Sequence, residues 1–218
     1  LKDQTLIMTQ TPRPLSKQEA KSVDMQRRVC AATVSVLAEV GYERVSTKLI
    51  SERGKMSRGA LNYHFPTKND LFVAAYEYVL AEWEKEWPFC DLDAQGSLTT
   101  EALIDALWTE LFSKSTYLAI LELMLAARLD PDLGTRLRAA LARWSKKRDR
   151  RTIQMMGLDP DDEMASKLLR LNLCMLRGIC VNRFCADGTY AEEPLIEIWK
   201  DILAREMKTH FATPVESP

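Results

Sequence analysis

The chain has 218 residues, 46% of them hydrophobic and 28% charged, which makes a globular protein of one or two domains whose core needs no disulfide or metal staple. Its 30 Lys and Arg stand against 31 Asp and Glu, a formal charge of −1 that, taken over the whole chain, argues against a nucleic-acid partner. No apolar run reaches the ~18 residues that a membrane span needs, and residues 1–14 lack the basic start and apolar stretch of a signal peptide, so the expected location is cytoplasmic.

The elements in chain order are all helical. Residues 1–14 are polar, carry Pro12 and Pro14, and read as a disordered extension. Ser16-Lys17-Gln18-Glu19 has the S-x-x-E pattern of a capping box, with Leu15 as a hydrophobic staple. A helix then runs to Val40, with Met25, Val29, Ala32, Val36, Leu37 and Val40 on one face, and Gly41 ends it. Two short helices follow, one capped by Ser46 or Thr47 and reaching Arg53, the other capped by Ser57 and running from Arg58 to His64. The tight turn Gly54-Lys55-Met56 between them makes a helix-turn-helix pattern. Phe65-Pro66 breaks it, and Thr67 with Asp70 restarts a helix that continues towards Pro88. Five more helices are expected over 97–113, 116–128, 132–156, 161–186 and 192–210, separated at Asp130-Pro131, Gly157 to Pro160 and Asp187-Gly188. The fold class is therefore all-α with about nine helices.

The most informative stretch is Ser57-Arg58-Gly59-Ala60-Leu61-Asn62-Tyr63-His64-Phe65-Pro66-Thr67-Lys68. Gly59 costs about 1 kcal/mol against Ala inside a helix, which makes sense where another molecule must approach the backbone. Arg58 is a planar fork of donors suited to a guanine edge, and Asn62 lies one turn on. Tyr63, His64 and Lys68 are donors of the kind that hold phosphates, as are the hydroxyls of Thr47 and Ser57 at helix N-termini. Leu61 and Phe65 read as packing beneath the helix. The same small residues would also suit a plain helix–helix contact.

Other chemistries find little support. Cys30, Cys90, Cys174, Cys180 and Cys185 are odd in number and form no C-x-x-C pair, the pattern of reduced, inert thiols rather than of a sensor. The two histidines, His64 and His210, are too few for a His-rich metal site, and neither glycine-rich phosphate loop occurs. No catalytic residue, metal or cofactor is expected.

Gly41-Tyr42, Ser46-Thr47, Ile50, the stretch from Ser57 to Lys68 and Leu71-Phe72 together resemble the DNA-binding domain of TetR-family transcriptional regulators over about residues 24–75. One departure lies in the turn, where that family usually has Ala-Gly before a hydrophobic residue and this chain has Gly54-Lys55-Met56, so that Lys55 adds a phosphate contact. The resemblance implies a homodimer that binds a two-fold, palindromic operator in double-stranded DNA. It also implies a C-terminal domain that binds a small-molecule effector. The DNA-binding residues it assigns, with the reading above, are Thr47, Lys48, Lys55, Ser57, Arg58, Gly59, Ala60, Asn62, Tyr63, His64 and Lys68. The domains are then 15–68 for the helix-turn-helix head and 69–218 for ligand binding and dimerisation.

Split at that boundary, the charge changes its meaning. Residues 13–68 hold 11 basic and 5 acidic side chains, a net of +6, whereas residues 69–218 hold 18 and 25, a net of −7. A basic head on an acidic body is the pattern of a protein that presents one end to phosphates. A second basic run, Arg143 to Arg151 around Trp144, reads as a solvated helix face rather than another nucleic-acid patch.

In the body, Trp108, Phe112, Tyr117, Leu121, Met124, Met155 and Met175 are the candidate ligand-binding residues, although an apolar stripe at this spacing is also what a packed core looks like. Glu122, Arg128, Asn172 and Arg177 are candidates for polar contacts within such a site. Leu173, Cys174, Arg177, Val181, Leu195, Ile198, Trp199 and Ile202 on the last two helices form the expected dimer interface, with Gly178 permitting close approach. The leading expectation is a repressor released from its operator by a small apolar or amphipathic molecule. The alternatives are an activator, a regulator without a ligand, or a helical binding protein or enzyme with an incidental helix-turn-helix.

Overall fold

The computed structural model describes residues 16–86, 88–90, 96–183 and 191–211. The expectations for the 1–14 extension, the Leu15 staple, Cys185 and the break at Asp187-Gly188 lie outside the described residues. Among the described residues the chain forms nine α-helices and no strand. They are α1 (Lys17–Val40), α2 (Thr47–Arg53), α3 (Arg58–His64), α4 (Lys68–Trp83), α5 (Thr100–Leu107), α6 (Ser115–Ala126), α7 (Pro131–Met155), α8 (Glu163–Asn182) and α9 (Glu193–Phe211). No helix among them is long and apolar enough to cross a membrane.

The helices begin where a side-chain oxygen satisfies the first free N–H groups. Ser16 with Glu19 and Thr67 with Asp70 make reciprocal capping boxes on α1 and α4. Single caps come from Ser46, Ser57, Thr99, Asp130 and Asp162, and Pro131 occupies the first position of α7, where no N–H is needed. Thr99 places the start of α5 three residues later than the spacing of apolar residues had indicated. α4 stops at Trp83, short of the expected end, because Glu82, Glu84 and Glu86 crowd negative charge at the negative end of the helix dipole. Past Leu107, α5 widens into a π turn over Trp108–Phe112, and the freed Phe112 carbonyl accepts a hydrogen bond from Cys180 Sγ at 3.0 Å.

α1 is the axis of the fold. Its buried residues Val29, Val34, Val36 and Leu37 pack against α2, α4 and α6. α4 and α7 lie side by side and parallel, joined along their seam by three ion pairs. Asp70 meets Arg136, Glu77 meets Arg143 and Glu84 meets Lys147, each at 2.9 Å. The acidic partners are spaced seven residues apart, two helical turns, so all three fall on one face of α4. Each such pair is worth little on its own at the surface, but together they fix the register of the two helices. α8 and α9 pack on one another, α9 also on α5 and α8 on the π turn that follows α5, and the pair is pinned where Trp199 Nε1 donates to buried Asn172 Oδ1 at 2.8 Å.

Candidate nucleic-acid interface

α2 and α3 are too short to be stable alone, so packing must hold them. Ile50 and Leu61 (both 1% exposed) and Phe65 are buried in the core, where α2 packs on both α1 and α3. The Arg28 guanidinium on α1 donates to the Gly54 carbonyl at 2.9 Å, capping the C-terminus of α2. Arg53 turns back to Ser35 and Glu39 on α1. Neither arginine stood out in the sequence, because both act through contacts 14 to 27 residues away.

The turn between α2 and α3 departs from the expected use of its glycine. Gly54 has an ordinary φ of −82°, while Lys55 holds the left-handed conformation at φ 51°. Gly54 serves space instead, since a Cβ there would lie 3.2 Å from the Ala32 Cβ and 3.3 Å from the Ile50 carbonyl. A left-handed non-glycine residue costs roughly 1–2 kcal/mol. Lys55→Gly is therefore expected to raise stability by about 1 kcal/mol, read as a higher midpoint in thermal unfolding; an unchanged or lower midpoint would show that the turn carries no strain.

The outer face of α3 is bare. Arg58, Gly59, Asn62 and Tyr63 are exposed, Tyr63 at 83%, while Ala60 and His64 are half-buried. A Cβ built on Gly59 would meet nothing nearer than Ser57 Oγ at 3.9 Å, so no helix among the described residues occupies the space in front of it. That disposes of the plain helix–helix contact as the reason for the small residues. The Tyr63 and His64 rings lie edge to face, with centroids 5.2 Å apart. Thr47, Lys48, Lys55 and Lys68 are exposed around the same end of the molecule. Ser46, not Thr47, caps α2 by accepting from the Leu49 N–H, which leaves the Thr47 hydroxyl outside that cap. Ser57 Oγ accepts from the Ala60 N–H at 3.1 Å, with its own proton still available to an acceptor. The Lys68 ammonium sits 4.9 Å from the Tyr42 ring centroid and 5.2 Å from that of Phe72, a placement that orders the long side chain.

A second set of contacts ties this end of the molecule to the rest. Gly41 takes φ 76° and ψ 165° just past α1, and the next residue, Tyr42, donates its N–H to Glu122 Oε2 on α6 at 3.0 Å. Glu122 had been a candidate for a polar ligand contact; it clasps the α1–α2 connection instead. Asn69 at the start of α4 bridges Asp130 Oδ2 and Asp132 Oδ2 at the start of α7. The hydrogen bonds from the Leu133 backbone and Asn69 hold the Asp130 carboxyl below its usual pKa, as Thr67 and then Arg136 do for Asp70.

Further from α3, the expected ligand residues do not form one group. The Phe112 and Tyr117 rings pack at a tilt of 53° with centroids 4.5 Å apart, the Tyr117 hydroxyl accepts from Arg177 Nε at 2.7 Å, and Tyr76 donates its hydroxyl to Met124 Sδ. Burial pushes the hydroxyls of Tyr76 and Tyr117 above their ordinary pKa. Trp108 is half-buried under the Arg183 guanidinium and Leu121 is half-buried. Met155 is buried at the far end of α7, and Met175 faces outward on α8. Of the expected dimer residues, Cys174, Arg177, Val181, Leu195 and Ile198 lie on the exposed side of α8 and α9, whereas Leu173 and Trp199 are turned into the protomer core and Ile202 is half-buried. These helices are apolar on two sides, and apolar spacing alone does not separate the inward side from the outward one. The thiols of Cys30 and Cys180 are buried, which raises the pKa of both and pushes Cys30 up to about 12.

Residues 29–75 match the family described as bacterial regulatory proteins, tetR family. An uncharacterised HTH-type transcriptional regulator of Mycobacterium bovis is 33% identical over 133 residues, spanning 60% of this chain and 67% of that protein. The HTH-type transcriptional regulator CymR of Pseudomonas putida is 28% identical over 174 residues, spanning 75% of this chain and 81% of that protein. Among solved structures, a TetR transcription regulator from Haloarcula marismortui superposes with a TM-score of 0.64 at 21% identity, covering 84% of this chain and 98% of its own. The multidrug binding protein EbrR, solved with ethidium, superposes with a TM-score of 0.61 at 22% identity, covering 83% and 97%. With its helix-turn-helix, its bare α3 face and these relatives, the chain belongs to the TetR family and is a DNA-binding transcriptional regulator.

Proposed function

We propose that this regulator is a homodimeric repressor that leaves a palindromic operator when a small molecule binds among the helices after α3. In this reading residues 15–68 are the DNA-binding head and residues 69–218 the sensing and dimerising body. Arg58 and Asn62 read base edges in the major groove, and Gly59 and Ala60 let the α3 backbone come close. Thr47, Lys48, Lys55, Ser57, Tyr63, His64 and Lys68 hold the phosphates on either side. The chain acts by binding alone, without catalysis. The observation that carries the reading is the exposed, unpartnered donor face of α3.

The dimer rests on a different surface. Ile198, 56% exposed, stands on α9 with Leu195, and Leu171, Met175 and Val181 line the outer side of α8. Gly178 lies among them with nothing within 4 Å of a built Cβ. Apolar side chains around a helical glycine suit close packing against the same surface of a second copy, with the two heads then at one end of the two-fold axis, one on either side of it. Two α3 helices then meet successive major grooves, about 34 Å apart for one helical turn. A ligand that prefers one spacing of the heads shifts the population towards it. EbrR, solved with ethidium, supports small-molecule binding on this fold.

A gel-shift titration over salt concentration tests the reading. Retardation of specific fragments should fall steeply as salt rises, because each neutralised phosphate releases counterions. Lys68→Ala should weaken all DNA sequences to a similar extent and lower the salt slope by about 1. A sequence-dependent loss would move Lys68 from the phosphates to the bases, and no retardation at low salt would remove the DNA-binding assignment itself.

A further inference from the structure

The basic run on α7 is a solvated face only in part. Arg143 and Lys147 pair with α4, and Arg150 pairs with Asp161. Arg148, its side chain 11% exposed, stacks its guanidinium 4.6 Å from the Trp144 ring centroid and pairs with Asp149. Arg151 makes no ion pair among the described residues, and its Nη2 is buried without a hydrogen-bond partner. Trp144 is 7% exposed, and its indole N–H is likewise buried without an acceptor. Two turns of helix separate the two residues, so both face the same side of α7. With Glu84, Phe89, Lys147 and Arg148 they line one cavity of about 50 Å³.

Buried donors left unmade cost roughly 1–3 kcal/mol each, more when charged, and two at one cavity describe what is missing from it. The missing group accepts hydrogen bonds. It also carries negative charge, because Glu84 is engaged by Lys147 and Asp149 by Arg148, which leaves the Arg151 guanidinium uncompensated among the described residues. A single water would meet the first need but not the second. A cavity of this size is roomier than a single water needs, and it admits a carboxylate head. Phe89 and the Trp144 ring supply the apolar part of the lining, and the Trp83 ring packs on Trp144 with centroids 5.8 Å apart.

We propose that the cavity between the C-terminal end of α4 and α7 is the effector site of this regulator and takes an organic monocarboxylate, its head on Trp144 Nε1 and Arg151 and its apolar body against Phe89 and the Trp144 ring. This rests on the regulator reading above and names its ligand class. It also supplies a route to the DNA-binding head. A body too large for the cavity parts α4 from α7 at the Glu84–Lys147 pair. The same two helices are joined at their other ends by Asp70–Arg136 and by Asn69 with Asp130 and Asp132, next to α3.

The full chain is titrated with benzoate, 2-naphthoate and octanoate, with benzamide as the neutral counterpart and acetate and inorganic phosphate as heads without a body. Thermal unfolding and calorimetry read binding, and DNA retardation is read in the same preparation. At least one carboxylate with a body should raise the unfolding midpoint at concentrations near 10 mM, at or above a Kd of about 1 mM, and benzamide, acetate and phosphate should not. Arg151→Met, which keeps the apolar stem, and Trp144→Phe, which keeps a ring but removes the N–H, should each weaken that carboxylate by ~10-fold or more, the loss of a charge-assisted hydrogen bond. If Trp144→Phe does not fold, Arg151→Met alone decides. Binding of benzamide as tight as that of the best carboxylate, tighter binding of phosphate than of any carboxylate, no response to the whole panel, or undiminished binding by Arg151→Met would each overturn the proposal. DNA retardation by the wild type without carboxylate keeps the regulator reading intact in any of those cases, and its absence sinks that reading separately.

Discussion

Arg58→Ala is expected to lower affinity for the cognate operator by about 10- to 100-fold, the roughly 1–3 kcal/mol that a bidentate side-chain-to-base contact contributes to discrimination. Binding to unrelated DNA should change little, so the ratio of specific to non-specific affinity collapses while the salt slope falls by no more than about 1. Folding should be unaffected within about 0.5 kcal/mol, because Arg58 is exposed and makes no ion pair among the described residues. This combination separates a base-reading residue from a structural one. It also differs from the outcome for Lys68, whose ammonium stands over Tyr42 and Phe72 at the start of α4, where it is placed to meet a phosphate. Fluorescence anisotropy with operator and scrambled duplexes measures both ratios. Equal affinity of Arg58→Ala and wild type for the operator would move recognition away from the N-terminal end of α3.

Gly41→Ala is expected to destabilise the fold by roughly 1–3 kcal/mol, since φ 76° with ψ 165° is a backbone region essentially reserved for glycine. In a chain of this size that is a fall in unfolding midpoint of about 3–10 °C. The added Cβ would also stand 3.1 Å from Glu122 Oε2, the atom that accepts the Tyr42 N–H. Accommodating it means loosening the clasp between α6 and the α1–α2 connection. Gly41→Ala should therefore weaken operator binding beyond what its folded fraction explains, because the heads lose their fixed orientation. Glu122→Ala, which removes the clasp without touching the backbone conformation, should reproduce the loss in DNA binding with a smaller loss of stability. If Gly41→Ala were as stable as the wild type, the strain at this residue and the clasp built on it would both be wrong.

The sequence declared the helices and the reading face of α3 more clearly than it declared what joins them. Caps and breakers are local: Ser57, Thr67, Asp130-Pro131 and Gly41 act within three or four residues, so boundaries followed from the chain itself. The α3 face was legible for the same reason, since Leu61 and Phe65 point one way and Arg58, Asn62 and Tyr63 the other on a helix of two turns. The ties that orient that face act at a distance. Arg28 reaches Gly54, Tyr42 reaches Glu122 across 80 residues, and Asp70 reaches Arg136 across 66. No periodicity records such partners. The basic run on α7 misled because it alternates outward and inward members. Arg143 and Lys147 face α4 and solvent, while Arg148 and Arg151 turn under Trp144, which only the packing of α4 and Phe89 reveals. Likewise the stripes on α8 and α9 are apolar on two sides, and the structure decides that Leu173 and Trp199 belong to the protomer core while Leu195 and Ile198 are left outside.

The most direct test of the central claim, that two copies of the bare α3 face read DNA together, is to enrich genomic or random DNA fragments on the purified protein and sequence those retained. The account predicts a single motif with two-fold symmetry, half-sites one helical turn or a small multiple apart, bound by an even number of chains, and lost from the enriched pool when Arg58→Ala replaces the wild type. Retention without any enriched sequence, or an enriched motif lacking two-fold symmetry and bound by one chain, would contradict it.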